Sequence, residues 1–195
     1  NPLQYLFNMK SSYNLFTTPV WHIGGIPQPL RDELYQGAFQ CKERYESTTK
    51  SNQGGYQSPG FSFDEFHPKG IAWINRVLVD VFDEIKENAA WAGKDYYEKI
   101  DVTTWWYNIN GKGHWNMPHT HPGSDLALVL YLTQTDNLLS FINPFSSRRI
   151  DGLSEFSANT NNGDILIFPA DLVHFVMPNK REEDRISISM NLQLS

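Results

Sequence analysis

The last strand-like segment of the chain, RISISMNLQLS from Arg185 to Ser195, alternates strictly between polar and apolar side chains. Successive side chains of a β-strand point to opposite faces, so this pattern predicts a strand with one apolar and one polar face. We expect the apolar face to pack on a helix. The polar face carries Arg, Ser, Ser, Asn and Gln rather than Lys and Glu, which favours the lining of a barrel mouth over the alternative of a solvated outer face.

Helical periodicity precedes the strands. Residues 29–45 and 71–91 carry apolar side chains at every third or fourth position, and Pro29 suits a first helical turn. After residue 100 the pattern changes to short β-branched and aromatic runs at 102–109, 126–133, 138–142, 164–168, 172–176 and 185–194. This order predicts an α+β domain with a C-terminal β-sandwich or jelly roll and helices laid against one sheet.

The segment between the two predicted helices, STTKSNQGGYQSPGFSFDEFHP from Ser47 to Pro68, is rich in Ser, Asn, Gly and Pro. Such a composition indicates a long loop, which crosses the surface or rims a pocket.

Composition limits the classes of function. A chain of 195 residues with 40% hydrophobic content supports a single domain, 1–195, in which 1–13 form an N-terminal extension. The net charge of −6, without a large basic cluster, argues against nucleic acid as a partner. No apolar stretch approaches the roughly 20 residues of a membrane span. Cys41 is the single cysteine, which excludes an internal disulfide and fits a cytoplasmic protein. Oligomeric state is not predicted.

Two histidines one residue apart begin the motif HTHPGSDLALVLYL. On a strand, His119 and His121 would point the same way with Cα atoms roughly 6.5–7 Å apart, a separation from which two imidazoles can converge on one ion. His174 follows 55 residues after His119 and supplies a third nitrogen. A surface pair of histidines is the alternative for each motif alone. Together they indicate a site for iron, zinc, copper or nickel.

Arg185 opens the last predicted strand, and Ser187 shares its face. A guanidinium makes two hydrogen bonds to a carboxylate and a neighbouring hydroxyl adds a third, so this pair is suited to hold an acid. An ordinary salt bridge at a strand edge is the alternative.

Four motifs in order, SNQGGYQS, HTHPGSDLALVLYL, FPADLVHFVMPN and RISISMN, resemble the small bacterial and phage group of 2-oxoglutarate/Fe(II) oxygenases, which is prolyl-hydroxylase-like. The resemblance implies a double-stranded β-helix and an enzyme, a dioxygenase that acts as a hydroxylase. It implies that His119 and His174 bind Fe(II), and that Arg185 with Ser187 binds the distal carboxylate of the co-substrate. Fe(II), 2-oxoglutarate and O2 would together hydroxylate an unactivated C–H bond and release succinate and CO2.

The sequence departs from the wider superfamily at residue 121, where a carboxylate is usual. One interpretation is a three-histidine site of His119, His121 and His174, which we prefer because strand alternation places the first two together. In the other, Asp125 supplies the acid, folded back by a type II turn with Pro122 and Gly123 at its centre.

Further polar and aromatic residues are candidates for the pocket. Asn108, Asn116, Asn191 and Tyr131 are predicted to contact the co-substrate or the substrate. Trp105, Trp106, Tyr107 and Trp115 surround the motif and are expected to be mainly core residues. Arg148 and Arg149 lie in a predicted loop and are expected to face solvent. His22, His67 and His114 are expected to be structural.

The substrate class stays open between a small molecule, an amino acid and a peptide, with prolyl-hydroxylase likeness favouring the last two. Two other functions remain. A cupin-like three-histidine dioxygenase would use a metal without 2-oxoglutarate, so Arg185 would have no acid to hold. A non-catalytic jelly-roll binding protein would hold no redox-active metal.

Overall fold

The computed structural model describes residues 18–90, 97–133, 139–145 and 154–195. Both predicted helices form: α1 is Gln28–Arg44 and α2 is Pro68–Ala90. Pro29 lies in the first turn of α1, as expected, and the buried face of α1 consists of Leu30, Leu34, Ala38 and Cys41. The last residue of the predicted second helix, Trp91, lies outside the described residues. Neither helix carries the unbroken apolar stretch that crossing a membrane requires, within these ranges.

Within the described ranges, eleven strands form two antiparallel sheets. The six strands of the larger sheet run in the order β1-β9-β6-β11-β4-β3, and those of the smaller sheet in the order β2-β5-β10-β7-β8. The strands are β1 Trp21–Ile23, β2 Asn52–Gln53, β3 Tyr56–Gln57, β4 Ile100–Asn110, β5 Trp115–His119, β6 Leu126–Tyr131, β7 Leu139–Ile142, β8 Glu155–Ser157, β9 Ile165–Pro169, β10 His174–Val176 and β11 Arg185–Leu194.

The larger sheet is covered on both faces, which explains why β6 and β9 read as continuous apolar runs. In β6, Leu126, Leu128 and Leu130 join the core beneath the helices, whereas Ala127 and Val129 join a second core that includes Phe141 of the smaller sheet. The predicted alternation of β11 is confirmed. Four of its apolar side chains lie fully buried in the helix-facing core: Ile186, Ile188, Met190 and Leu192.

These layers confirm the predicted α+β class, with helices packed on one sheet of a jelly roll. All six sequence-predicted strands are present, with bounds that differ by a few residues. The sequence pattern missed β1, β5 and β8, which are short or interrupted by polar residues.

The prediction of an irregular loop over residues 47–68 is wrong in part. This segment contains β2, β3 and a short 3₁₀ helix, Phe63–Glu65. We call residues 47–60 the strap, because β2 pairs with β5 in the smaller sheet whereas β3 pairs with β4 in the larger one. The strap thus ties the two sheets together at one end of the jelly roll.

Candidate functional site

Three histidines converge between the sheets. His119 ends β5 and His174 begins β10, and the two are register partners in the smaller sheet. His121 follows β5 rather than lying on it, which corrects the expectation that one strand carries both residues of the His-x-His motif. Ring centroids are 4.2 Å apart for His119 and His174, 5.1 Å for His121 and His174, and 5.5 Å for His119 and His121. One nitrogen from each ring lies within 4.8 Å of the other two.

The outer nitrogen of each ring is held by an oxygen acceptor. Nδ1 of His119 donates to the carbonyl of Met117 and Nδ1 of His174 to the carbonyl of Leu172, each over 2.8 Å. Nδ1 of His121 donates to Oδ1 of Asn191 over 2.6 Å. A carbonyl oxygen only accepts, so the proton of each neutral ring sits on Nδ1 and the Nε2 lone pair is left free. This is the orientation that metal-ligating histidines adopt.

The free lone pairs face one another. Nε2 of His121 lies 3.3 Å from Nε2 of His174. Burial lowers the pKa values of His119 and His121 and, together with the neighbouring His119, lowers the pKa of His174 to about 3. The rings therefore stay neutral at neutral pH, and protonation does not remove the repulsion between their facing lone pairs. A cation bound between the nitrogens would remove it. Three neutral imidazole nitrogens fit Fe(II), Zn(II), Ni(II) or Cu(II).

The carboxylate of Asp125, the alternative third ligand, is hydrogen-bonded to the end of β11 and not to the histidines. His121 to Ser124 form the predicted turn, with a 3.3 Å bond from Ser124 N to His121 O and a φ of 82° at Gly123. The turn does not carry the Asp125 carboxylate to the histidines. Its Oδ2 accepts hydrogen bonds from the Leu194 backbone, over 2.8 Å, and from the Gln193 side chain. Within the part of the chain that the structure describes, the cluster of potential ligands consists of the three histidines.

Arg185 is a buried cation, with 5% of its surface exposed. It lines the same cavity between the sheets as the three histidines. Its guanidinium donates to the carbonyls of Met177 (3.0 Å) and His114 (3.5 Å). No carboxylate of the described residues pairs with it. Burial lowers the pKa of Arg185 to about 10, so the group stays charged at neutral pH. A buried charge without a counterion is costly, and this one is therefore suited to an anionic ligand.

Polar side chains extend from Arg185 across the larger sheet, and we call this set the polar ladder: Arg185, Ser187, Ser189, Tyr131 and Asn108. Ser187 on β11 is the register partner of Tyr131 on β6 and of Asn108 on β4. The Tyr131 hydroxyl is buried and has no hydrogen-bond partner among the described residues, and burial raises its pKa, so it remains a protonated donor. The Asn108 amide donates to Oγ of Ser189 over 3.0 Å. The predicted polar lining of the barrel mouth is therefore present.

The histidines and the polar ladder share one cavity of about 550 Å³. Trp106 forms part of its wall and stacks on His121, with ring centroids 5.6 Å apart and planes at 29°. Of the remaining aromatic candidates, Trp105 and Tyr107 belong to the core beneath the helices, as expected. Trp115 is exposed, so the expectation of a core residue is wrong there.

The other histidines lie outside the cluster. His22 contacts Asp164, His67 contacts Glu33, and Nδ1 of His114 accepts from the Gly111 backbone. Asn116 lines the cavity, but its amide bonds Asn110 and Ser51. Arg148 and Arg149 lie outside the described residues.

Two details of the cavity were not specified by the sequence. Asn191, predicted to contact the co-substrate or the substrate, lines the cavity and also accepts a hydrogen bond from the His121 ring. The strap was expected to rim a pocket, and it contributes Thr48, Lys50, Ser51, Gln57, Ser58 and Gly60 to the lining. Nothing in its sequence pattern specified these side chains, because their placement depends on pairing with both sheets.

The sequence of residues 104–191 matches the model of a protein family described as "Putative 2OG-Fe(II) oxygenase". The matched region contains all three histidines and Arg185. It confirms the resemblance that the motifs indicated.

Solved structures with the same fold include a prolyl-4-hydroxylase from Pseudomonas putida, at a TM-score of 0.61 and 13% identity over 91% of this chain and 93% of that one. They also include HygX from Streptomyces hygroscopicus with nickel and 2-oxoglutarate bound, at a TM-score of 0.63 and 13% identity over 91% of this chain and 83% of that one. At such identities the likeness establishes the fold alone.

A curated relative, a germin-like protein (subfamily 1 member 12) of Arabidopsis thaliana, is 37% identical over 70 residues. The match covers 35% of this chain and 26% of the relative, so the chain spans about a quarter of that protein's length.

Proposed function

We propose that this chain, which matches the 2OG-Fe(II) oxygenases over residues 104–191 and has their fold, is an Fe(II)- and 2-oxoglutarate-dependent oxygenase that hydroxylates a C–H bond of an amino acid or peptide. The observation that carries the proposal is the presence, in one cavity, of three converging Nε2 lone pairs and a buried, unpaired guanidinium. A metal cation would be coordinated by the three nitrogens, and a dicarboxylate would neutralise the guanidinium.

His119, His121 and His174 would hold the metal through Nε2. Their rings are oriented before any ion arrives, because each Nδ1 is already bound to an oxygen. Three protein donors would leave further coordination positions of an iron ion for the co-substrate and O2. Bound iron in this class supplies the oxidation of substrate by O2, coupled to the conversion of 2-oxoglutarate to succinate and CO2.

Arg185 would bind the distal carboxylate of 2-oxoglutarate through its fork of N–H donors. Ser187 and Tyr131 lie on adjacent strands beside it, and the partnerless Tyr131 hydroxyl is a further donor for the same carboxylate. The carbonyls of Met177 and His114 fix the guanidinium in place, so little freedom is lost when the acid binds.

The apolar part of the cavity wall would keep water from the reacting atoms. Val129 and Leu139 come from the core between the sheets, and Trp106 covers His121 from the side.

The likeness to a prolyl-4-hydroxylase supports an amino-acid or peptide substrate.

The proposal is tested by an anaerobic titration of Fe(II)-loaded protein with 2-oxoglutarate, followed by the weak visible charge-transfer band of the chelate. We expect a saturable band. In Arg185→Gln, the concentration needed for half-saturation should rise about 30-fold or more, since removing one member of a buried charge pair costs about 2 kcal/mol or more. Arg181→Gln, outside the cavity lining, is the matched control and should titrate like the parent protein.

Three results would contradict the proposal or the role of Arg185 in it. Iron that binds without any band would favour the cupin-like dioxygenase that uses no 2-oxoglutarate. Protein that does not bind iron, in the absence of chelators, would favour a non-catalytic binding protein. An unchanged band in Arg185→Gln would show that the co-substrate is held elsewhere.

A further inference from the structure

The cavity is larger than a metal ion and a five-carbon diacid require. Its volume of about 550 Å³ lies within the range of roughly 300–1,000 Å³ that suits drug-sized ligands. The polar ladder around Arg185 forms one part of the lining, and the strap forms another. The strap side is therefore available to the substrate itself.

The charges of the lining are unbalanced. Lys50 of the strap and Arg185 are the formal cations among the described residues that line the cavity, and no Asp or Glu is among them. Lys50 makes no ion pair with any described residue. A three-histidine site adds to this imbalance, because imidazole ligands are neutral and leave a divalent ion with both of its charges.

One molecule of 2-oxoglutarate carries two negative charges and does not neutralise this set. With the co-substrate in place, the metal, Arg185 and Lys50 retain an excess of positive charge. Charges interact strongly in a partly buried cavity, so a substrate that brings negative charge is favoured over a neutral one.

The backbone of Lys50 lies close to the strand that leads to His119. Asn52 is the register partner of Asn116, and Met117 N donates to Ser51 O over 2.9 Å. Ser51, the residue after Lys50, thus lies beside Met117, two residues before His119. The Lys50 backbone is fixed by a 2.9 Å bond from its N–H to Oδ1 of Asn52.

A second strap residue offers a free donor. Gln57 is 8% exposed and lines the cavity, and its side-chain amide makes no hydrogen bond with any described residue. Its backbone is nevertheless fixed, through bonds to Ser47 and Thr48. The exposed Lys50 and the buried Gln57 therefore both line the cavity from the strap.

We infer that the substrate is a carboxylate-bearing molecule whose acid group is bound by Lys50, with Gln57 as a hydrogen-bond donor on the same strap. This rests on the proposed function and specifies its substrate class. Lys50 acts as a specificity determinant: its ammonium group selects acids and disfavours the corresponding amides and amines.

The test uses protein loaded with Zn(II), which is redox-inert, and saturated with 2-oxoglutarate so that Arg185 is already engaged. Matched pairs of N-acetyl amino acids and their primary amides are compared by ligand-observed NMR. We expect the acids to bind about five-fold or more tightly than their amides, in line with a partly exposed charge-assisted contact.

Two variants and a control define the origin of the preference. Lys50→Gln should abolish the preference for acids, and Lys50→Glu should reverse it towards ligands that carry an amine. Lys42→Gln, an exposed lysine of α1 outside the cavity lining, should bind like the parent protein.

Equal binding of acids and amides to the parent protein would overturn the inference, and so would a preference that survives Lys50→Gln. The proposed function fails separately. If 2-oxoglutarate does not bind, the same pairs are compared on Zn(II)-loaded protein alone, where a Lys50-dependent preference for acids still decides the inference.

Discussion

Asn191 accepts a hydrogen bond from Nδ1 of the His121 ring over 2.6 Å, on the edge of the ring that faces away from His174. The rings of His119 and His174 are held by backbone carbonyls, which no substitution removes. Asn191 is therefore the one side chain in this outer set of bonds that can be changed. It acts as a positioning residue, because it acts on the metal through His121.

Replacing Asn191 by Ala should weaken Fe(II) or Co(II) binding by about 10–100-fold, since the loss of an outer partner frees the imidazole ring and its tautomer. Metal affinity is measured by competition with a chelator of known affinity. Asn191→Asp should restore tight binding, because a carboxylate also accepts from Nδ1. Gln193→Ala, on the same face of β11 but outside the cavity lining, should have little effect. Equal metal affinity in Asn191→Ala and the parent protein would show that this bond does not orient the ring.

Among the secondary-structure elements, the strap carries the largest difference between the predicted and the observed structure. Its composition predicted a loop, and its two short strands arise from tertiary pairing with β5 and β4. Gly54 and Gly55 form the turn between them. Gly54 has a φ of 77°, which favours glycine, and a Cβ on Gly55 would overlap Oδ1 of Asn110.

The second of these glycines provides a test of the strap. Gly55→Ala should lower the free energy of unfolding by about 1–3 kcal/mol, because the added methyl displaces Asn110 or the strap. Urea denaturation measures the loss. Gly111→Ala is the control, since its Cβ would meet nothing closer than 3.2 Å. The same loss in both variants, or in neither, would argue against a tightly packed strap.

For the whole molecule, the cluster of three histidines joins parts of the fold that are distant along the chain. His119 and His174 lie on neighbouring strands of the smaller sheet, and His121 is tied to β11 of the larger sheet through Asn191. The cluster exists only when both sheets are assembled. Metal binding must therefore stabilise the folded state over the unfolded chain.

Adding Fe(II), Co(II) or Ni(II) at about 100 times its Kd should stabilise the fold by about 2.7 kcal/mol and raise Tm by roughly 5–10 °C. Thermal unfolding in the presence and absence of EDTA measures the shift. His174→Ala should abolish it. Asp125→Asn should retain it, because Asp125 bonds the end of β11 instead of the cluster. Loss of the shift in Asp125→Asn alone would identify Asp125 as a ligand and contradict the three-histidine site.

The sequence by itself determined the features that depend on local stereochemistry. Helical spacing located α1 and α2, and alternation assigned the two faces of β11 correctly, because both periodicities follow from backbone geometry. The His-x-His motif, His174 and the Arg-x-Ser pair also identified residues that the structure brings into one cavity.

Only the tertiary structure decided which groups these residues meet. The register between β5 and β10 brings His174 to His119, the end of β11 takes up the Asp125 carboxylate, and the strap brings Lys50 to the cavity. Each of these is a contact between segments far apart in sequence. Such contacts depend on strand pairing and on competition among hydrogen-bond partners, which local spacing does not specify.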